Sequence, residues 1–327
     1  MDIFLQQLIN GLTLGSVYAI VALGYTMVYG IVQLINFAHG EVVMVGAMVA
    51  LSVIAALAGS APPLVVVAAG VACAVPACMA VGFIMERVAY RPLRHAPRLA
   101  PLITAIGISI IMQQVAMMIW SRNPLGFPQI LDNPVFEVGG AHISAVQIAI
   151  IAGSLLLMAT LTLLVFRTRL GVAMRATSEN PQVAGLMGVD VDKVISATFV
   201  IGAGLGAVAG VMVGTYYGIA HYTMGALLGL KAFCAAVLGG IGNLAGAMLG
   251  GLLLGIVEAL GAGYIGEIMD LCHVAGLSDA LAARCAQDSH LILFGSNYQD
   301  VFAFLVLIAV LVFRPSGLLG ERVADRA

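Results

Sequence analysis

The chain has 327 residues, 61% of them hydrophobic and 9% charged, with a mean hydropathy of +1.07 and a formal net charge of −2. A soluble domain carries about 25% charged residues, so this composition excludes one and implies an all-α, polytopic integral membrane protein embedded in the lipid bilayer. The sequence holds no nucleotide-binding P-loop and no basic patch for nucleic acid. No Lys or Arg precedes Arg87, so the first apolar run lacks the basic n-region of a cleavable signal and reads as a retained span.

Apolar blocks long enough to cross a bilayer fall at about residues 8–31, 40–58, 63–85, 100–120, 144–166 and 193–214. A seventh and an eighth share 226–262, split near Gly239–Gly246, and a ninth covers about 298–313. The expectation is therefore about eight to nine transmembrane helices with helix breaks, in one membrane-spanning body.

Between the first two blocks lies QLINFAHGE, where Asn36, His39 and Glu41 interrupt nearly uncharged sequence. An ionisable group at membrane depth is costly and is a default functional candidate. Two geometries fit: a tight turn on the cytoplasmic side, or a helix break within the bilayer that exposes backbone groups to a cavity. The GGIGNLAG stretch containing Asn243 carries the same ambiguity. Glu258 reads as a lone carboxylate near the outer end of the eighth span.

Glycine recurs every fourth residue at Gly202, Gly206, Gly210 and Gly214, and again at Gly242, Gly246 and Gly250. In lipid such spacing lets helix backbones approach closely. Residues 202–207 also match G-x-G-x-x-A, but no strand–helix context surrounds them and no acid follows at the ribose-binding distance, so a dinucleotide site is excluded.

The longest polar run is 167–193, with Arg167, Arg169, Arg175 and Lys193 beside Glu179, Asp190 and Asp192. Asn180-Pro181 reads as an N-cap followed by proline at the first helical position. Val183, Ala184, Leu186 and Met187 give that short helix an apolar face, and Gly188 can end it in the left-handed conformation. A half-apolar, capped helix at a membrane surface reads as a docking element. Basic residues also cluster at Arg87, Arg91, Arg94 and Arg98, and at Arg314, Arg322 and Arg326. All three clusters fall on one side of a nine-span topology, the other side holding Arg122 and Arg284. By the positive-inside rule the clustered side is cytoplasmic, with the N-terminus outside and the C-terminus inside.

The segment 263–297 is a long outer loop with short amphipathic stretches. Of the five cysteines, Cys73, Cys78 and Cys234 lie in apolar blocks; Cys272 and Cys285 lie in this loop. On the oxidising side of the membrane these two are expected to form a disulfide. Zinc binding with His273 and His290, or free thiols, are the alternatives.

INFAHGEVVMVGA, RATSENPQVAGLMGVDVDKV and LGGIGNLAGAMLGGLLLG, in that order, make the chain resemble the LivH-type permease subunit of bacterial high-affinity branched-chain amino acid ABC importers. The resemblance runs over about residues 1–262 and 298–320. It implies a multi-pass inner-membrane subunit that pairs with a second, homologous permease. Two cytoplasmic ATPases would bind ATP and drive the pair, and a periplasmic binding protein would deliver substrate. This chain itself would carry no catalytic residue, metal or cofactor. The resemblance implies that Arg175, Glu179, Asn180, Pro181, Leu186, Met187 and Gly188 form the segment that couples to an ATPase. It places Asn36, His39 and Glu41, with Asn243, near the translocation path. The long 263–297 loop departs from the short outer loop expected of the family, which leaves open another small amino acid, an amide or urea as substrate. A passive channel, or a membrane-embedded enzyme using His39 and Glu41 as an acid–base pair, are the readings from other classes.

Overall fold

The computed structural model describes residues 2–94, 96–97, 99–130, 133–268, 299–314 and 316–320. Cys272 and Cys285, and with them the expected disulfide, lie outside the described residues, as does the 263–297 loop from residue 269 to 297. Among the described residues, seven helices are long and apolar enough to cross a membrane, and Met224–Gly239 and Ala303–Phe313 are shorter apolar helices. The chain is thus an all-α polytopic membrane protein with few strands.

The helices are α1 (Asp2–Val32), α2 (His39–Leu57), α3 (Pro63–Met85), α4 (Leu99–Ile119), α5 (Ala145–Arg167), α6 (Arg169–Glu179), α7 (Pro181–Leu186), α8 (Val191–Tyr217), α9 (Met224–Gly239), α10 (Leu244–Ile268) and α11 (Gln299–Phe313). The strands are β1 (Leu125–Gly126), β2 (Val135–Val138), β3 (Ala141–Ser144) and β4 (Ile219–Ala220). Strands β2 and β3 form an antiparallel hairpin pairing Val138 with Ala141, and β1 pairs antiparallel with β4. Gly139 and Gly140 both take positive φ, 59° and 86°, which a two-residue hairpin turn requires.

Helix α1 has 31 residues, roughly 46 Å at 1.5 Å per residue, against an apolar core of about 30 Å. Its first turns grip the hairpin: the Gln6 amide donates to the His142 carbonyl (3.0 Å) and accepts from the His142 N–H (2.8 Å). Ser144 then caps α5 in a capping box with Gln147, and the Gln147 amide donates to Asn10 of α1 at 3.1 Å.

Packing at the centre is set by small residues. A Cβ on Gly255 of α10 would stand 2.2 Å from the backbone N of Gly15, and one on Gly210 of α8 would stand 2.1 Å from the carbonyl oxygen of Val43. The α8 glycines run along one seam: Gly202 faces Gly24 and His39, Gly206 faces Val43 and His39, and Gly214 faces Phe127. Residues 202–207 sit inside α8, with no strand-to-helix turn for a dinucleotide. Gly246 and Gly250 instead close the α9–α10 hairpin against Gly239 and Ala235, while Gly242 lies in its turn at φ 97°.

One end of the bundle carries most described bases. There α3 passes into a π-helical turn, Glu86–Tyr90, and a 3₁₀ turn, Arg91–Leu93. Glu86 is fully buried; it pairs with Arg94 and accepts from the Ser196 hydroxyl at 2.6 Å. Arg94 and Arg91 both pair with Asp192 in the first turn of α8. Two guanidiniums thus balance two carboxylates and tie α3 to α8. Breaking one side of a buried pair costs about 3–5 kcal/mol, whereas replacing both partners with apolar groups is often neutral. Arg94→Met is therefore expected to lower the thermal midpoint of the detergent-solubilised chain strongly, and Glu86→Leu/Arg94→Met to restore most of it. Equal midpoints for the single and double variants would count against this account.

Candidate translocation break and docking helix

Helix α1 ends at Val32, and Gln33 turns the chain with φ 53°, the one positive φ outside glycine among the described residues. The six residues 33–38 then fold back along the bundle. A Cβ on Gly24 would stand 2.2 Å from Nε2 of His39, and Gly24 precedes Val32 by two helical turns, roughly 12 Å. Both geometries open to the sequence are therefore present in part. The segment turns at the basic face, and α2 begins well inside the bundle.

Glycines hold this re-entry in place. Gly40 lies against Gly225 and Gly229 of α9, where a Cβ on Gly40 would meet the Gly225 carbonyl at 2.3 Å. Tyr25 packs edge-on against the His39 ring, with centroids 4.9 Å apart, and Phe37 packs on Phe233. The Tyr90 hydroxyl from the π-helical turn donates to Asn36 Oδ1 at 2.8 Å.

Asn36, His39 and Glu41 are all buried. Glu41 Oε1 accepts from Ser109 at 3.0 Å and from Gln113 at 2.7 Å, both on α4. Its other oxygen has no partner, nor do Asn36 Nδ2, His39 Nε2, the Tyr25 hydroxyl and the Thr26 hydroxyl. Buried polar atoms are nearly always paired; five unpaired ones around one helix break form a polar centre inside an apolar bundle. A small pocket lined by Tyr25, Tyr29, Ile35, Phe233, Ala236 and Ile241 adjoins it.

Asn243 is not part of this centre. It caps α10, accepting from the Gly246 N–H at 3.0 Å, and donates to the Leu319 carbonyl at 2.9 Å. The C-terminal segment thereby lies against the end of α9, with Leu318 and Leu319 donating to the Leu238 and Gly239 carbonyls.

The polar run 167–193 forms α6, α7 and the start of α8 at the basic face. Thr168 caps α6 and Asn180 caps α7, its side chain accepting from the Gln182 and Val183 N–H groups at 3.0 and 3.1 Å. Gly188 at φ 87° closes α7, with the Val189 N–H reaching back to the Ala184 carbonyl, the pattern of a Schellman motif. Arg175 stacks over Phe166 at 5.2 Å, and Glu179 is the last residue of α6. Asp190 caps α8; its hydrogen bonds from the Lys193 side chain and backbone hold its carboxyl below the usual range. Only Ala184 of α7 is buried. Leu186 and Met187 are 87% and 81% exposed, and Val183 is exposed beside them.

The sequence reading of Glu258 as a lone carboxylate is wrong. Its Oε1 lies 2.7 Å from Lys231 Nζ and accepts from the Tyr18 hydroxyl at 3.2 Å. Lys231 also lies 2.6 Å from Asp300 on α11. A single lysine within one apolar block and a single acid in the next was the available signal.

A bundle with a re-entrant break at its centre, and a capped half-apolar helix held out at one aqueous face, has the layout of a membrane transport permease. The chain belongs to the family described as the permease component of the branched-chain amino acid transport system, which matches residues 7–311. It is 46% identical to the high-affinity branched-chain amino acid transport system permease protein BraD of Pseudomonas aeruginosa, across 97% of this chain and 96% of that protein. It is 43% identical, over the same shares, to the corresponding protein LivH of Escherichia coli. A more distant relative, the probable branched-chain amino acid transport permease protein LivH of Methanocaldococcus jannaschii, is 27% identical across 93% of this chain and 89% of its own length. No solved structure matches.

Proposed function

We propose that this chain is the permease subunit of an ATP-driven importer of branched-chain amino acids in the inner membrane. The observation that carries the reading is the family match along nearly the whole chain, with BraD and LivH at over 40% identity. The subunit pairs with a second, homologous permease, two cytoplasmic ATPases bind and hydrolyse ATP, and a periplasmic binding protein supplies leucine, isoleucine or valine. The basic face, with Arg91, Arg94, Arg167, Arg169, Arg175 and Lys193, is cytoplasmic by the positive-inside rule. The N-terminus is then periplasmic and the C-terminus cytoplasmic.

In this reading Arg175–Gly188 couples to an ATPase, and Asn36, His39 and Glu41 line the path. A zwitterion in transit needs short-lived partners for its charged ends and apolar walls for its side chain. Helix-break N–H groups and the unpaired polar atoms around Asn36 and Glu41 provide the first. Tyr25, Phe37 and Phe233 provide the second. Asn243, engaged as a helix cap, fixes the C-terminal segment.

The test is leucine uptake into proteoliposomes holding the full complex. Uptake should require ATP inside and binding protein outside; uptake that persists without the ATPases would make the chain a passive facilitator. In the same assay Glu41→Gln is expected to lower uptake about tenfold or more, the effect of one charge-assisted contact, with normal insertion. Unchanged uptake would remove the carboxylate from the path.

A further inference from the structure

The exposed helix α7 and the re-entrant break lie at the two ends of one bonded run. Past α7 the chain goes through Gly188 and Val189 straight into α8, whose first turn holds Asp192. Asp192 grips Arg91, at the start of the 3₁₀ turn, and Arg94, just past it. The 3₁₀ turn continues the π-helical turn Glu86–Tyr90, in which the Arg91 N–H reaches back to the Glu86 carbonyl. Glu86 is itself tied to α8 by the Ser196 hydroxyl. The start of α8 and the π-helical turn are therefore held as one piece.

Tyr90 is the last residue of that turn. Its ring packs on Phe199 of α8, with centroids 5.2 Å apart, and is fully buried. Its hydroxyl makes the one side-chain hydrogen bond to Asn36 found among the described residues, at 2.8 Å. The Asn36 carbonyl in turn accepts from the N–H of His39, the first residue of α2, at 3.0 Å. A displacement of Tyr90 is thus passed to the start of α2, and to Glu41 two residues on. Single π-helical turns are uncommon and recur at functional sites. Asn36 Nδ2, on the same amide, has no partner. A buried amide left half satisfied is costly, which suits a group that changes partners between states better than one fixed for stability.

We infer that Tyr90 is a positioning residue for transport: through its bond to Asn36 it carries movement of α7 and the start of α8 to the re-entrant break. The inference rests on the proposed roles of α7 as the docking helix and of the break as part of the path. Arg91 and Arg94 hold the link at its basic end, and Asn36 receives it inside the bundle.

A coupling route is established only when its two ends respond together. Tyr90→Phe keeps the ring on Phe199 and removes only the hydroxyl. In proteoliposomes holding the full complex, leucine uptake should fall about tenfold, the effect of one lost buried hydrogen bond. ATP hydrolysis should stay near the wild-type rate, so the ATP hydrolysed per leucine rises by nearly the same factor. Arg91→Gln loosens the other end at a side chain that is 34% exposed, and should raise the same ratio in a chain that folds even if Tyr90→Phe does not. A wild-type ratio in either folded variant, or uptake and hydrolysis falling in step with a lowered thermal midpoint, would overturn the inference in favour of a static tether. Hydrogen exchange gives a readout without transport. Adding ATP to the wild-type complex should alter exchange at residues 36–41 together with 181–189, and in Tyr90→Phe at 181–189 alone. Residues 36–41 indifferent to ATP in the wild type would also overturn it. A wild type that takes up no leucine with ATP would instead sink the import reading, leaving exchange to decide the link.

Discussion

Leu186→Asp is expected to yield a chain that inserts normally but no longer co-purifies with the ATPase subunits, and Met187→Asp to do the same. Leu186 and Met187 project from a six-residue helix that lies outside the apolar spans and buries only Ala184 toward its own chain. A charge there costs the isolated permease nothing. Buried in an interface, it removes an apolar anchor of a kind commonly worth about 2–4 kcal/mol, or roughly 30- to 1000-fold in affinity. ATP-driven uptake should fall with it. Normal co-purification and uptake in both variants would remove the coupling role from α7.

Gly210→Ala is expected to be strongly damaging for a single added methyl. The new carbon would stand 2.1 Å from the Val43 carbonyl and 2.8 Å from the Ala47 N–H. These are backbone atoms of α2, so no side chain can rotate away and the two helices must part. Overpacking of this kind costs about 1–3 kcal/mol or more, and here it also shifts the re-entrant start of α2 that carries His39 and Glu41. The expected result is a sharp loss of folded yield and a lowered thermal midpoint. Gly185→Ala, where nothing lies within 4 Å, should be neutral or slightly stabilising through the roughly 1 kcal/mol helix preference of alanine. Equal midpoints for the two variants would refute the steric argument.

Apolar block length alone marks most of the membrane helices, because each block had to span hydrocarbon. The block split near Gly239–Gly246 yields a short α9, which starts beside Gly40 within the bundle. Asn180-Pro181 and Gly188 announced both ends of α7 because capping is local chemistry. What stayed hidden is non-local. Glu258 looked isolated because its partners are 27 and 240 residues away along the chain, at Lys231 and Tyr18. Asn36 gave no hint of Tyr90, which a π-helical turn swings toward it. The fold-back at residues 33–38 depends on Gly24, Gly225 and Gly229, which read in sequence as ordinary small residues in apolar blocks. The β2–β3 hairpin went unread, although Gly139-Gly140 marks its turn, and its strands are too short to alter the fold class.

The pairing of α1 with α10 also sets the timetable of synthesis. The first helix leaves the ribosome with its close-packing glycines, Gly11 and Gly15, shaped for Ile256, Leu252 and Gly255. Tyr18 and its partner Glu258 are separated by 240 residues. At about 5–20 residues per second, α1 waits roughly ten to fifty seconds in the membrane before its principal neighbour exists. Helix α1 is therefore seated late, and the bundle closes around it only when α9 and α10 arrive.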